Sequence, residues 1–481
     1  MVHSLHKMAA IQFTKTEKGK DKACYEGYYY NFETKSRSDN EISFWVCEEY
    51  FKSNKCRGRI HIKNGAFIKQ TGVHNHSPNG QRKLALQADA RIKELATTTS
   101  QTTDNIISVA TSNLDEIVLS QMAPEAVTKR KIQQTRRASQ KFPVEPRNLE
   151  DLVFPNNCKY FDDGTLFLLY DSGPGSGNNR ICLFGTQVNL ELLSQSRSVF
   201  SDGTFGIAPT RLFYQLYTIH GIVFGSIIPL IYALLPNKTT ETYDRVFSAL
   251  KCLQPSLNPQ KWLTDFEKAT MKSIERNFPQ VRITGCFFHL QQCLWRKVQE
   301  FGLTNAYREE DGRFARSARS LAALAFVPVP DVCSSFEILV NDSQFDSRVQ
   351  PIVDYFEDVW VGRLQTTGQR RQPTFLIPIW NMYHRTINGE RRTNNDVEGW
   401  HRRFQSAIGC KNPSVFKCID ALKIEQKRHE SRIHRLNSGE QPNPRKRKYR
   451  DLNDRILDLV TKYEERERVS YLRGIAHNFQ L

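Results

Sequence analysis

The stretch "VFSDGTFGIAP" (199–209) opens with a short apolar run and places Asp202 at its end. The next stretch, "RLFYQLYTIHGIVFGSIIPLIYALLP" (211–236), is dense in β-branched and aromatic residues and is broken by Gly225 and Pro229. Short apolar runs bounded by Gly and Pro are typical of buried strands. We therefore predict one strand ending near Asp202 and two more strands in the following stretch.

The residues after these strands alternate between helical and extended patterns. The segment "TTETYDRVFSALKCLQ" (239–254) repeats apolar residues with the i, i+3, i+4, i+7 spacing of a helix face. The segments "KWLTDFEKA" (261–269) and "QVRITGCFF" (280–288) predict two more strands, the first ending at Asp265. The order of three strands, helix, strand, helix and strand predicts an α/β core with a mixed sheet.

Two acidic residues, Asp202 and Asp265, each end a strand that we expect in the middle of this sheet. A buried carboxylate without a partner is costly, and two close together raise one pKa unless a cation lies between them. Carboxylate oxygens suit Mg²⁺ or Mn²⁺. The alternative is that Asp202 forms a turn before Gly203 and that Asp265 is an ordinary helix cap or surface acid.

A third acid comes from a predicted helix within "RRTNNDVEGWHRRFQSAIG" (391–409). Asn395 or Asp396 can cap this helix. Glu398 lies at the edge of its buried stripe, on the face it shares with other polar residues, and can reach a site at the sheet rim. That buried stripe is predicted to consist of Val397, Trp400, Phe404 and Ala407 or Ile408.

The N-terminal segment carries a second cluster of potential ligands. Cys47 and Cys56 are followed by His74 and His76, and two thiolates with two imidazoles make a closed tetrahedral zinc site of the structural type. The alternation in "GRIHIKNGAFIKQTG" (58–72), with a turn at Asn-Gly, predicts a hairpin. A segment this small buries little surface, so a metal would stabilise it. The alternative is a β-rich segment with metal-free thiols.

This segment resembles the FLYWCH zinc-finger family, through Phe13, "YEGYYY" (25–30), "FWVC" (44–47), "KCRGRI" (55–60) and "HNH" (74–76). The resemblance implies that Cys47, Cys56, His74 and His76 bind Zn²⁺. Cys24 is expected to be a packing residue. Four basic residues could face DNA phosphates or simply form a solvated surface: Lys55, Arg57, Arg59 and Lys63.

The central segment resembles the MULE (Mutator-like element) transposase domain. The matching sequence motifs are "SDGTFGIAP", "QLYTIHG", "PLIYALLPNKTTETY", "WLTDFEKA", "GCFFHLQQCLWRKVQEFGL" and "TNNDVEGWH". The resemblance implies an RNase H-like fold, a catalytic triad of Asp202, Asp265 and Glu398, and a helical insertion over about 305–390. It also implies that two Mg²⁺ ions, or Mn²⁺, serve DNA strand cleavage and strand transfer.

The segment "GCFFHLQQC" (285–293) has a spacing close to that of metal ligands, so a zinc site is one interpretation. We favour another, because no further Cys/His cluster lies near it in the sequence. The pair Cys286-x2-His289 matches a signature of the MULE family, which implies that His289 lies at the active-site rim near the DNA or the metal-bound phosphate. Cys293 is expected on the buried side of the helix that follows, with Leu290, Leu294, Val298 and Phe301.

Four regions are predicted along the chain: a zinc finger (10–78), a linker or helical arm (79–148), the transposase domain (150–410) and a charged helical C-terminal region (411–481). Trp360 and Trp380 in the insertion could stack on a displaced base, but core positions are the better interpretation. The basic run "PRKRKYR" (444–450) fits a nuclear import signal, a phosphate-contact patch or a solvated loop.

The composition agrees with a nucleic-acid partner. The chain has 481 residues and a formal net charge of +17, from 68 Lys and Arg against 51 Asp and Glu. An excess of positive charge favours a polyanion. The N-terminus lacks the apolar stretch of a secretory signal, and the longest apolar run is short for a membrane span. The 11 cysteines are expected as reduced thiols or metal ligands.

These observations support a nuclear, DNA-binding DDE transposase with a zinc finger, expected by analogy to act as a homo-oligomer. The alternative is a domesticated DNA-binding regulator whose core is an inert scaffold. A third hypothesis is an RNA-directed RNase H-type nuclease. It is disfavoured because the sequence motifs match those of the transposase family. The presence of all three acids favours the first hypothesis.

Overall fold

The computed structural model describes residues 11–15, 20–53, 55–99, 101–139, 143–442 and 447–481. The chain divides into two compact units, Met1–Phe142 and Pro143–Leu481. The first residues of the basic run at 444–450 fall outside the described ranges. None of the described helices is long and apolar enough to cross a membrane.

The first unit begins with a six-stranded antiparallel sheet in which every strand pairs with its neighbour in sequence. Its strands are β1 (Gln12–Lys15), β2 (Asp21–Tyr25), β3 (Tyr28–Lys35), β4 (Ile42–Cys47), β5 (Arg59–Lys63) and β6 (Ala66–Thr71). The predicted hairpin is confirmed. Asn64 and Gly65 turn the chain between β5 and β6 with φ values of 46° and 82°, which Asn and Gly tolerate best.

Four helices complete the first unit. They are α1 (Gln81–Thr98), α2 (Thr103–Thr111), α3 (Glu116–Leu119) and α4 (Glu125–Ser139). Thr102 and Asp115 cap α2 and α3 by accepting backbone N–H groups. The helices have their own small core, formed by Ile92, Leu95, Ala96, Ile106 and Ile132. This part of the chain is therefore folded and is more than a linker.

The second unit is organised around a seven-stranded mixed sheet. Its strands are β7 (Leu168–Asp171), β8 (Cys182–Phe184), β9 (Ser198–Thr204), β10 (Gln215–Val223), β11 (Ser226–Leu235), β12 (Lys261–Thr264) and β13 (Arg282–Gly285). The spatial order is β13-β12-β9-β10-β11-β8-β7. β12 runs parallel to β9 and β13, and the other pairs are antiparallel. The predicted mixed sheet is confirmed, and β7 and β8 extend it beyond the strands that the sequence predicts.

Helices cover this sheet. Those before and between the strands are α5 (Asn156–Lys159), α6 (Gln187–Gln195), α7 (Thr240–Leu253) and α8 (Lys268–Asn277), and α9 (Phe287–Glu300) follows the last strand. α7 buries Tyr243, Val246, Phe247 and Leu250, as its spacing predicts. On α9, Leu290, Leu294 and Val298 are buried, but the prediction for Phe301 is wrong. Its side chain is 43% exposed, because α9 ends one residue earlier.

The region after α9 is helical. Its elements are α10 (Thr304–Tyr307), α11 (Arg313–Ala323), α12 (Val332–Val340), α13 (Gln350–Phe356), α14 (Ile377–Trp380), α15 (Tyr383–Ile387), α16 (Asn395–Ile408), α17 (Val415–Asn437), α18 (Arg447–Thr461) and α19 (Arg468–Ala476). Trp360 and Trp380 are fully buried, and the Trp380 indole donates to the Trp360 carbonyl oxygen. They are therefore core residues and cannot stack on a base.

The last two helices pack on earlier helices of the same unit, α18 on α15 and α19 on α11 and α12. The Tyr471 hydroxyl donates to the Phe326 carbonyl oxygen, and Tyr463 donates to Asp331 over 2.8 Å. Both tyrosines belong to the main hydrophobic core of the unit. The charged C-terminal sequence therefore completes this core with its apolar face.

Candidate functional site

The structure brings Cys47, Cys56, His74 and His76 together in the first unit. Cys47 ends β4, Cys56 precedes β5, and both histidines follow β6. One donor atom from each residue lies within 4.8 Å of the others. The Cys47 sulfur lies 3.2 Å from His76 Nε2, and the Cys56 sulfur lies 3.3 Å from His74 Nδ1. Sulfur and nitrogen ligands of one tetrahedral zinc ion are separated by roughly 3.5 Å, so this donor set fits Zn²⁺.

Neighbouring groups orient the two histidines. His74 turns Nδ1 toward the thiols, while its Nε2 is hydrogen-bonded to the Tyr30 hydroxyl over 2.8 Å. His76 uses Nε2, and its Nδ1 lies 3.1 Å from the Ser77 carbonyl oxygen. The Tyr28 ring stacks on His74 with 3.6 Å between ring centroids. Such outer partners select the ring nitrogen that binds the metal.

Burial shifts the pKa values of Cys47 and His74, and the space beside the His74 ring admits only glycine. Burial raises the pKa of the Cys47 thiol to about 12, so a bound cation is needed to hold it as a thiolate at neutral pH. Burial also lowers the pKa of His74, which keeps the ring neutral and able to bind metal. At Gly58, a Cβ atom would lie 2.5 Å from His74 Cε1, so only glycine fits beside this ligand.

The four basic residues predicted near the zinc site differ in whether they form ion pairs, and the remaining cysteine lies apart from the cluster. Arg59 pairs with Glu33 over 3.0 Å and Lys63 pairs with Asp39 over 2.9 Å. Lys55 and Arg57 are exposed and form no ion pair with any described residue. Cys24 is half-buried on β2, outside the metal cluster.

In the second unit, Asp202 and Asp265 lie on adjacent parallel strands. Asp202 belongs to β9, and Asp265 directly follows β12. Leu263 is opposite Phe200 in this pairing, so the same register continued by two residues places Asp265 opposite Asp202. Neighbouring strands are about 4.8 Å apart, and side chains two residues apart point to the same face. Both carboxyl groups therefore belong to the face of the sheet that carries Phe200 and Leu263.

Helix α16 packs on that face and brings Glu398. Phe200, Leu263, Cys286 and Val397 form one small buried cluster that joins β9, β12, the end of β13 and α16. Asn394, just before the helix, donates its side-chain N–H to the Ser201 carbonyl oxygen over 3.2 Å. Its backbone N–H donates to the Cys286 sulfur over 3.1 Å.

The predicted buried stripe of α16 is confirmed: Val397, Trp400 and Phe404 are buried, and of the two alternatives at its end Ile408 is buried while Ala407 is exposed. His401 is buried in addition. The helix begins at Asn395 with Asn394 at the cap position, so the predicted capping by Asn395 or Asp396 is wrong. The Asn394 side chain bonds to the β9 backbone and does not cap the helix.

The three acids repel one another electrostatically. Burial raises the pKa of Asp265 to about 7, and the Asp202 carboxylate adds to this rise. Burial and the same Asp202 carboxylate raise the pKa of Glu398 to about 7, against the opposing effect of Arg402. One oxygen of Glu398 is buried and lacks a hydrogen-bond donor among the described residues. A divalent cation would relieve both the repulsion and the missing contact.

Carboxylate oxygens are the ligands that a hard cation such as Mg²⁺ prefers. The three carboxyl groups nevertheless lie farther apart than the four zinc ligands. Among the described residues, the Cys/His cluster is the group of three or more potential ligands whose donor atoms all lie within 4.8 Å of one another. The three carboxyl groups do not meet that spacing. Oxygen ligands, burial and the unpaired Glu398 oxygen suit Mg²⁺ or Mn²⁺.

His289 lies beside Glu398. It is the third residue of α9, and its Nε2 lies 3.5 Å from Glu398 Oε1. Burial lowers the pKa of His289, so the ring is neutral at physiological pH. Cys286 is fully buried, and burial raises the pKa of its thiol to about 12. Within the described ranges, Cys286, His289 and Cys293 do not form a metal-ligand cluster.

His401 is a residue of this site to which the sequence analysis assigns no role. Its Nδ1 lies 3.5 Å from Asp202 Oδ2, and its Nε2 lies 3.0 Å from the Thr218 hydroxyl. The same hydroxyl lies 2.9 Å from His220 Nε2. The sequence feature that could have identified His401 is its position three residues after Glu398, on the buried side of the same helix.

Two protein-family models match parts of the chain. Residues 13–76 match the FLYWCH zinc finger domain, a span that contains all four Cys/His ligands. Residues 198–293 match the MULE transposase domain, a span that contains Asp202, Asp265 and His289 and ends before Glu398. A search of curated proteins found no match. The chain therefore carries a match to the FLYWCH zinc finger domain followed by a match to the MULE transposase domain, and the two together support a transposase-related DNA-binding protein.

Proposed function

We propose that the second unit is a metal-dependent DDE transposase of the Mutator-like type, in which Asp202, Asp265 and Glu398 form the catalytic triad. The observation that carries the proposal is that Asp202 lies on β9 and Asp265 directly follows the adjacent parallel strand β12, with Glu398 on a helix packed against the same face. Perturbed pKa values of carboxyl groups cluster at functional sites, and two of these three acids have them.

The strand arrangement supports an RNase H-like core for this unit. Three antiparallel strands, β9, β10 and β11, are extended beyond β9 by the parallel strands β12 and β13. The Glu398 helix follows a helical insertion, as the resemblance implies. In this chain, Asp202 lies on the first of these strands, Asp265 directly follows the fourth, and Glu398 lies on the later helix.

The three acids would hold Mg²⁺ or Mn²⁺, which when bound supplies activation of the attacking water or 3′-hydroxyl and stabilisation of the leaving oxygen. The chain's own residues orient this site. His401 positions Asp202 through its Nδ1, while Thr218 holds the other ring nitrogen. Neutral His289 can donate a hydrogen bond to Glu398 or to a phosphate oxygen at the rim.

The first unit supplies DNA recognition in this proposal. Zinc holds Cys47, Cys56, His74 and His76 in the closed arrangement of a structural site, without an open position for catalysis. Lys55 and Arg57 remain the candidate phosphate contacts, because Arg59 and Lys63 are engaged by acids. A DNA partner is consistent with a nuclear location, which fluorescence microscopy of a tagged chain tests.

A strand-transfer assay tests the catalytic proposal. Purified protein with Mn²⁺ should nick or join the terminal inverted-repeat DNA of its own element. Asp202→Asn, Asp265→Asn and Glu398→Gln should each abolish the reaction while DNA binding persists. Asp163→Asn, at an exposed position of the same unit, is the matched control and should keep activity. Retained cleavage in any triad variant removes that residue from the triad.

A DNA-binding regulator without catalysis is the second candidate. Two observations favour it: the family match ends before Glu398, and the three carboxyl groups do not converge within 4.8 Å. Sequence-specific binding by the wild-type chain, with neither nicking nor joining in Mg²⁺ or Mn²⁺, would establish this alternative. Flanking inverted repeats and target-site duplications in the genome would support the transposase.

A further inference from the structure

Helix α4 of the first unit has two chemically different sides. Thr128 and Ile132 are buried, and Ile132 packs in the small helical core with Ile92 and Ile106. On the opposite side of the helix, Arg130, Gln133 and Gln134 are exposed. The spacing of these three residues, i, i+3 and i+4, puts them on one face. We call this face the α4 polar face.

The helix is held firmly by residues outside this face. The Lys129 ammonium lies 2.6 Å from carboxylate oxygens of both Asp104 and Glu125. The Arg136 guanidinium donates to the Ala96 carbonyl oxygen over 3.3 Å and to that of Thr99 over 3.2 Å, which ties α4 to the end of α1. These contacts attach α4 to neighbouring helices of the same unit, and a reading surface needs such support.

The α4 polar face itself is left without partners. Arg130, Gln133 and Gln134 form neither an ion pair nor a hydrogen bond with any described residue. The helix sequence "EAVTKRKIQQTRRAS" contains five basic residues and one acidic residue. Its excess of positive charge favours a polyanionic partner. The exposure of these three side chains leaves their polar atoms available to such a partner.

We propose that the α4 polar face reads bases in the major groove of double-stranded DNA, with Arg130, Gln133 and Gln134 as its contacts. Arg makes paired hydrogen bonds to guanine O6 and N7, and Gln makes them to adenine N6 and N7. The major groove of B-form DNA admits an α-helix, whereas that of A-form RNA is too narrow. This inference rests on the DNA binding of the proposed function and is independent of strand transfer.

The test uses the full zinc-loaded chain without added Mg²⁺ or Mn²⁺, so that the acids play no part. A duplex is selected from a random-sequence pool, and dissociation constants are measured for this duplex and for a scrambled one. Arg130→Ala, Gln133→Ala and Gln134→Ala should weaken binding to the selected duplex by about tenfold or more, with much smaller changes on the scrambled duplex. Arg130→Lys keeps the charge but loses the paired geometry, so it should also lose preference at one base position.

Arg91→Ala and Gln87→Ala are the matched controls, because these residues are of the same types and are exposed on α1 of the same unit. They should leave base preference unchanged. Circular dichroism and zinc content should be equal for all variants, since every changed side chain is exposed. Equal losses on both duplexes, or losses no larger than those of the controls, would overturn the inference. If the wild-type chain selects no sequence, both the inference about the α4 polar face and the proposal of specific DNA recognition are overturned. If only strand transfer is absent, the catalytic proposal alone is overturned.

Discussion

His289 Nε2 lies 3.5 Å from Glu398 Oε1, which links the start of α9 to α16 across the acidic site. Neither His289 Nδ1 nor Glu398 Oε1 has a hydrogen-bond partner among the described residues, although both atoms are buried. Unpaired buried polar atoms are rare in stable cores and are more common where a substrate or cation completes the contacts. In the proposed function, this pair is the part of the site that we expect to face DNA or metal.

The first prediction concerns this histidine. His289→Ala should lower strand transfer by about 10–100-fold, the usual effect of removing a group that orients a metal ligand. His289→Gln retains a donor near the position of Nε2 and should restore part of the activity. Zinc content should not change in either variant, because His289 lies outside the zinc cluster. Loss of zinc on His289→Ala would mean that the segment around Cys286 binds metal after all.

Removal of zinc should unfold the sheet of the first unit. The unit has few buried residues around Cys47 and Cys56, and metal binding to such sites is coupled to folding. A strong chelator, or Cys47→Ser, should abolish the β-sheet signal of an isolated 11–142 fragment in circular dichroism, while the wild-type fragment binds about one zinc ion per chain. Cys24→Ser is the control and should keep the metal. A fragment that keeps its fold without zinc would contradict this prediction.

Gly58→Ala should weaken zinc binding although Gly58 itself supplies no ligand atom. The added methyl group would lie 2.5 Å from His74 Cε1 and would displace the ring. Gly80→Ala is the control, since its Cβ meets nothing within 4 Å. Competition with a colorimetric chelator measures zinc affinity in both. Equal affinities would show that the His74 ring has room to move.

The protein without Mg²⁺ or Mn²⁺ should lose stability as the pH rises. The pKa of Asp265 is about 7 in the folded chain and that of a free aspartate is about 4. Between these values the folded state binds more protons, so the free energy of unfolding falls from about pH 4 to about pH 7 and is lowest above that range. Glu398 acts in the same direction.

Asp265→Asn tests this pH dependence. Denaturant unfolding monitored by tryptophan fluorescence should show a smaller fall in stability over this pH range and a more stable metal-free protein at pH 8. Added Mn²⁺ should stabilise the wild type above pH 7 and should have little effect on the variant. Asp163→Asn, at an exposed position, should behave like the wild type. An unchanged slope in Asp265→Asn would mean that Asp265 does not titrate near neutrality.

Thr218→Val should cost about 1–3 kcal/mol of stability, since it removes the hydroxyl that contacts both His401 and His220 and leaves their buried nitrogens without that partner. Strand transfer should fall as well, because His401 then no longer holds Asp202. The control is Thr284→Val, a buried threonine on β13 whose hydroxyl donates to a backbone carbonyl oxygen over 3.3 Å. Equal effects of the two changes on strand transfer would exclude a role for the His401 contact.

The sequence by itself determined the local elements and the chemistry of the ligands. Strand and helix periodicity predicted β9 to β13 and α7, because burial on one face dictates which positions are apolar. The grouping of Cys47, Cys56, His74 and His76 followed from the ligand preferences of zinc and from the resemblance. By contrast, β7 and β8 were missed, since a strand of three or four residues carries too little pattern to read.

Only the tertiary structure decided which distant residues share an environment. The register of β12 against β9 aligns Asp265 with Asp202, and packing around Val397 brings Glu398 to the same face. The contact of His401 with Asp202 and the exposed face of α4 depend on how helices dock, which periodicity does not encode. Local patterns specify which side of an element is buried, whereas the partner on that side is chosen by packing between segments far apart in the chain.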